Sequence, residues 1–143
     1  MKKVFFLATF FLFSIIAFSQ DFPIKFKGET EHPIYLGQQL DTNPTFLDNP
    51  YTIEITENMI QIKLANGKVL KSYDVEIVQK RTDLDGINEI VIITFKTEIR
   101  GFVGYILYNG VTEMGRYAGI LTIPTFSQDG MITSVTIFAG EMD

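Results

Sequence analysis

Beyond residue 50 the chain alternates. Apolar side chains recur mostly at every second position in the stretches 52–56, 59–64, 69–78, 90–97, 103–108, 118–123 and 131–138. A period of two puts successive side chains on opposite faces of a pleated strand, and the enrichment in Ile, Val, Thr, Phe and Tyr suits strands as well. No stretch carries a helical apolar stripe of useful length. Four dipeptides, Asn66-Gly67, Asp85-Gly86, Asn109-Gly110 and Asp129-Gly130, punctuate the alternation, and both kinds of pair favour the positive φ that hairpin turns require. Residues 28–51, with Pro33, Pro44 and Pro50, read as loop around one or two short edge strands.

Each turn predicts which residues face each other. A two-residue connection at Asn66-Gly67 pairs Leu64 with Val69, Ile60 with Tyr73 and Gln61 with Ser72, leaving Lys71 opposite Ile62 on the apolar face. At Asp85-Gly86 a two-residue turn sets Glu76 against Phe95 and Val75 against Lys96, which mixes the faces. A three-residue connection, Leu84-Asp85-Gly86 with a bulged Gly86, repairs this by pairing Ile77 with Ile93, Val75 with Phe95 and Asp74 with Lys96. A two-residue turn at Asn109-Gly110 places Phe102 opposite Tyr117, Gly104 opposite Gly115 and Tyr108 opposite Val111. Two facing glycines either let a sheet bend sharply or leave room for a ring or ligand against the backbone.

Consecutive hairpins predict an all-β fold: a small antiparallel meander of about seven to nine strands, closing into a barrel, with a β-sandwich as the alternative. The long stretch after Val69 and the glycines at 101, 104, 115 and 119 suit the curl that closure demands. In organisation the pattern resembles lipocalin-type barrels. The Gly-x-Trp signature of that family is absent because the chain has no Trp, so the resemblance is architectural and carries over no functional residue.

The N-terminus changes the setting. Lys2 and Lys3 precede an apolar run over residues 4–18 that closes on Ala17-Phe18-Ser19, the layout of a secretory signal peptide. The run is shorter than the roughly twenty residues a spanning helix needs, so cleavage after Ser19 is expected, with one β-domain over residues 20–143. The junction Phe18-Ser19-Gln20-Asp21 resembles those of exported bacterial proteins, implying a Gram-negative envelope. Lipid attachment at the mature N-terminus requires a cysteine, and the sequence has none. The expected product is therefore soluble, exported and not lipid-anchored, in the periplasm or outside the cell, with no membrane insertion after cleavage.

Without the signal, ten Lys plus Arg stand against seventeen Asp plus Glu, a net charge of −7. Such a domain is repelled by phosphate backbones, which argues against nucleic acid as a partner. About 124 residues are enough to form a core without disulfide staples.

Candidate chemistry is sparse. Residues 82–89 are rich in oxygen ligands, with Asp83, Asp85 and Glu89, but lack the remaining ligands of a calcium loop and are explained as a turn. His32 is the only histidine, too few for a multi-histidine zinc site, and Ser72, Ser127 and Ser134 lie in no nucleophile elbow. Asp74 and Glu76 share one strand face at a separation of about 7 Å, within reach of glycosidase spacing, although a solvated strand shows the same geometry. No cofactor motif is present. The expectation is an exported, non-enzymatic domain that binds a small, partly apolar ligand, with Phe102, Tyr108, Glu113 and Tyr117 lining the glycine gap. The alternative is a structural module docking an envelope protein or glycan, and a hydrolase ranks last.

Overall fold

The computed structural model describes residues 22–37, 44–86, 88–113 and 116–142. The expected signal at 1–19 and the junction at 20 lie outside them. Eight strands follow in chain order: β1 Ile24–Tyr35, β2 Thr45–Ile55, β3 Met59–Lys63, β4 Val69–Asp85, β5 Asn88–Ile99, β6 Phe102–Glu113, β7 Arg116–Phe126 and β8 Ile132–Glu141. Each pairs antiparallel with the next, and β1 also pairs with β8, so the meander closes into a barrel. Closure selects the barrel over the sandwich.

Within the segment 28–51, residues 28–35 and 45–51 are strand and not loop. They supply most of β1 and much of β2, and β1 is the closing strand: Lys25 to Gly28 pair with β2, while His32 to Tyr35 pair with β8. Three prolines mislead because proline is excluded only where the ladder needs its N–H. Pro33 sits opposite Thr136, and Pro50 lies where the β1–β2 register shifts, between Gly28 and Thr30.

The first hairpin keeps the expected Ile60–Tyr73, Gln61–Ser72 and Ile62–Lys71 pairs but pairs Lys63, not Leu64, with Val69. The connection is three residues long. Leu64 N–H donates to Lys68 O at 2.8 Å, Gly67 takes φ +85°, and Asn66 Oδ1 accepts from Lys68 N–H at 3.0 Å. A left-handed glycine followed by a bulge accommodates the strand twist.

The β4–β5 register also needs correction. Val75 faces Thr97, Glu76 faces Lys96 and Ile77 faces Phe95, with a bulge at Val78 before the ladder runs on to Asp85–Asn88. Relative to the expected pairing the strand is displaced by two residues near the core, an even step that leaves Val75 and Phe95 facing inward. Lys96 therefore opposes Glu76 rather than Asp74.

The turn expected at Asn109-Gly110 does not form. β6 runs straight through it, with Asn109 opposite Ile92 and Gly110 opposite Val91 and Gly119; Glu113 pairs with Arg116. The cause is tertiary. Turning at 109 would strip Ile90, Val91 and Ile92 of β5 of their ladder partners, and a buried ladder outweighs a local turn preference. Between β5 and β6 the chain turns instead at Arg100-Gly101, both at positive φ (+53° and +82°), the pair of values a two-residue hairpin demands. Asp129-Gly130 is a turn as expected, with Gly130 at φ +82° and Ser127 N–H donating to Met131 O.

The inward positions form one filled core. Phe26, Ile53, Ile62, Phe95, Tyr108 and Phe138 are among its largest members, contributed by six different strands. Outside, Lys25 and Lys27 of β1 and Asp74 and Glu76 of β4 are exposed, Lys63 Nζ bonds Glu54 Oε2 at 2.9 Å, and Phe46, Leu70, Val78 and Leu84 are exposed hydrophobics.

Candidate functional site: the glycine gap and the outer groove

The glycine gap exists, but between different residues and with its occupant supplied by the chain. Gly110 of β6 lies opposite Gly119 of β7, both buried and inward. A Cβ at 119 would stand 2.5 Å from Phe26 Cγ, and one at 110 would stand 2.7 Å from the Tyr108 hydroxyl. Phe26 and Tyr108 lie side by side with ring centroids 6.1 Å apart. The rings occupy the space that two missing side chains leave, the packing expected when aromatic rings cover strand glycines. A second case lies further along β6. A Cβ at Gly104 would meet the Phe126 ring at 2.8 Å, and Phe126 packs on Phe102 at 6.0 Å between centroids.

Of the four residues expected to line a ligand site, the described side chains of Phe102, Tyr108 and Tyr117 take different settings. Phe102 is half-buried on Phe126, and Tyr108 is fully buried in the core. Tyr117 sits opposite Thr112 near the barrel end and is 55 % exposed. Glu113 pairs through its backbone with Arg116, and its side chain lies outside the described residues.

Tyr108 is the chemically distinctive member. Its hydroxyl donates to Met142 Sδ at 3.5 Å, a weak acceptor, and its phenol is pushed up to about 12, chiefly by burial and secondarily by Tyr117. Burial also raises Tyr73. A phenol this reluctant to ionise holds its proton at neutral pH, and its burial among core side chains makes it a packing element.

On the outer wall, Asp74 and Glu76 of β4, Lys96 and Glu98 of β5, and Val103 of β6 line an open groove of about 380 Å³. The register creates it. Glu76 opposes Lys96 and Glu98 opposes Val103, while Asp74 is one strand position from Val75, whose partner Thr97 donates from Oγ1 to Asp74 O at 2.8 Å. Sequence reasoning found the two carboxylates and set Lys96 opposite Asp74; that Lys96 opposes Glu76 instead, and that Glu98 and Val103 join them, depended on a register it had misjudged. Both carboxylates are exposed, so water solvates them and neither has the buried setting a general acid needs.

The remaining candidates do not converge. His32 faces outward on β1 opposite Ile137, Ser134 is buried on β8, Ser72 is exposed on β4, and Ser127 hydrogen-bonds Asp129 within the last turn. Thr82 to Asp85 belong to the β4 ladder, where Arg81 Nε lies 3.6 Å from Asp83, and among the described residues no group of three or more metal-ligating side chains forms. No protein-family model, curated protein or solved structure matches this chain.

Proposed function

We propose that this chain is an exported, non-enzymatic interaction module of the bacterial envelope, a rigid barrel that engages a protein or glycan with its outer surface. The observation that carries this reading is the occupation of the Gly110–Gly119 gap by Phe26 and Tyr108. A lipocalin-like role requires a hollow, and here the ring-sized space is filled from within the chain. Recognition then falls to the exterior, where loops and strand faces on a stiff scaffold commonly bind.

Export is part of the proposal and rests on the basic, apolar and small-residue order of residues 2–19. The exposed charges of β1 and β4 interrupt the continuous outward apolar band that a membrane-spanning barrel needs, and the interior is apolar, not polar, which supports a water-surrounded product. Mass spectrometry of the mature protein should find Gln20 at its N-terminus. Crosslinking in intact envelopes followed by affinity capture should recover a partner; recovery of nothing above an unrelated barrel would overturn the interaction reading.

A second reading keeps a small, partly apolar ligand but moves it to the outer groove, where Val103 offers an apolar wall beside Lys96 and Glu98. It is supported if native mass spectrometry shows a co-purifying molecule that a Val103→Asp variant loses. Hydrolysis stays last: it would have to run on exposed Asp74 and Glu76, and Asp74→Ala and Glu76→Ala variants tested on glycosides decide it.

A further inference from the structure

The barrel exterior is divided. Registers from β5 round to β1 set outward residues side by side: Leu107 beside Thr122, Ile120 beside Ala139, and Ile137 beside His32. Taking the three central outward positions on each of these five strands (90, 92 and 94; 107, 109 and 111; 118, 120 and 122; 135, 137 and 139; 30, 32 and 34), none is Asp, Glu, Lys or Arg. Most are Ile, Val, Leu or Ala. Exposed charges stand outside these positions: Lys25 and Lys27 on β1, Asp74 and Glu76 on β4, Lys96 and Glu98 further along β5, and Glu141 at the end of β8, opposite Ala118. A barrel wall that keeps its charges to the margins and leaves its centre uncharged has a face suited to burial.

We infer that this face, centred on Ile120 and Ile137, is an isologous interface with a second copy of the same chain. Three features select a copy over another occupant. The mature chain carries a net charge of −7, so two copies repel, and contact through the uncharged wall sets their charged walls furthest apart. An isologous contact places a surface against itself, where a charge near the axis meets its like; a centre without charges avoids that cost. Finally, the sizes are graded. Ala118, Ile120, Thr122 and Ala139 form the middle, while Tyr105 (55 % exposed) and Phe46 (78 % exposed) stand at the two margins. Large margins around a low centre offset the convexity of a barrel wall and supply aromatic anchors.

The area sets the strength. Five strands about 4.8 Å apart, each with three outward positions about 6.7 Å apart, cover roughly 24 by 20 Å, or about 500 Å² per copy and about 1,000 Å² for the pair. That is at the lower bound for a specific interface, so the dimer should be weak, with a Kd on the order of micromolar.

The inference is independent of the envelope partner proposed above, since self-association is measured on the pure protein. Sedimentation of the signal-cleaved chain from about 1 to 300 μM should show a monomer–dimer equilibrium; a monomer at every concentration overturns the interface. Ile120→Lys should raise Kd at least about 100-fold while leaving the β-type circular dichroism spectrum intact, whereas Ser72→Lys on the opposite wall should not change it. Because the chain has no cysteine, Thr122→Cys introduces a single thiol, and oxidation should link two copies, while Ser72→Cys should stay monomeric on a denaturing gel. This variant preserves size and polarity and keeps the test open if Ile120→Lys misfolds. Linkage through Ser72→Cys but not Thr122→Cys places the contact elsewhere and overturns the proposal. So does a monomer that cosediments with uncharged phosphatidylcholine vesicles, which would make the face a membrane surface.

Discussion

Phe26 of β1 lies against the backbone of Gly119 of β7, so closely that a methyl group at 119 would stand 2.5 Å from Phe26 Cγ and 2.7 Å from both Cδ atoms. One strand's missing side chain is the seat of another strand's ring.

Gly119→Ala should therefore overpack the core. We expect a loss of about 1–3 kcal/mol, measured by urea denaturation. Phe26→Leu costs stability alone by leaving a gap, but combined with Gly119→Ala the losses should be less than additive, because the smaller side chain frees the space that the methyl needs. Strict additivity would show that the two residues are not in contact.

Alkaline pH should weaken the fold through Tyr108. Its phenol goes from an ordinary 10.0 to about 12 on folding, so the folded state holds the proton more tightly than the unfolded chain. The stabilisation is complete below about pH 10 and is lost as pH rises through that window toward 12, a total of roughly 3 kcal/mol. Tyr73 acts with the same sign. Unfolding free energies on either side of the window should diverge in the parent and much less in Tyr108→Phe.

Arg100 holds φ +53° in the β5–β6 turn, a conformation that costs an ordinary side chain about 1–2 kcal/mol. Asn accepts it more readily. Arg100→Asn should raise stability by about 0.5–1 kcal/mol, while Gly101→Ala, at φ +82°, should lower it by at least about 1 kcal/mol; thermal melts compare the two.

The Glu54–Lys63 pair spans β2 and β3 at 2.9 Å, and the hydrogen bond from Lys63 is the main reason the Glu54 carboxyl titrates below its usual range. Its stabilisation is present above the unfolded carboxylate value and disappears as pH falls through the folded one. Both side chains are partly solvated, so Glu54→Gln should cost no more than about 1 kcal/mol, with the difference vanishing in acid.

Strand identity was legible because each stretch had one face to bury. Ile60, Ile62, Val75, Ile93 and Phe95 announce their inward side by spacing alone, and the closed meander confirms an all-β chain. Where a local signal competed with a neighbour's needs, it misled. Asn109-Gly110 has the composition of a turn, yet β5 holds it in a strand; Arg100-Gly101 lacks an Asn or Asp, yet it turns. The site was less legible still. Tyr108 is buried beside Gly110 and Phe102 packs on Phe126, but the ring that fills the Gly119 gap comes from residue 26, more than ninety positions away, and no local pattern encodes that meeting.

By itself the sequence determined the pleated alternation, the positions of three of its four Asn/Asp-Gly turns, an acidic surface and the absence of cysteine chemistry, because these follow from side-chain type and nearest neighbours along the chain. Tertiary structure alone decided that residues 28–51 close the barrel, that the β4–β5 ladder bulges at Val78, and that the interior gap is filled by Phe26 and Tyr108. Those outcomes depend on pairing between strands far apart in sequence, where an added bulge shifts register at little cost and packing volume is shared among residues that no short segment contains.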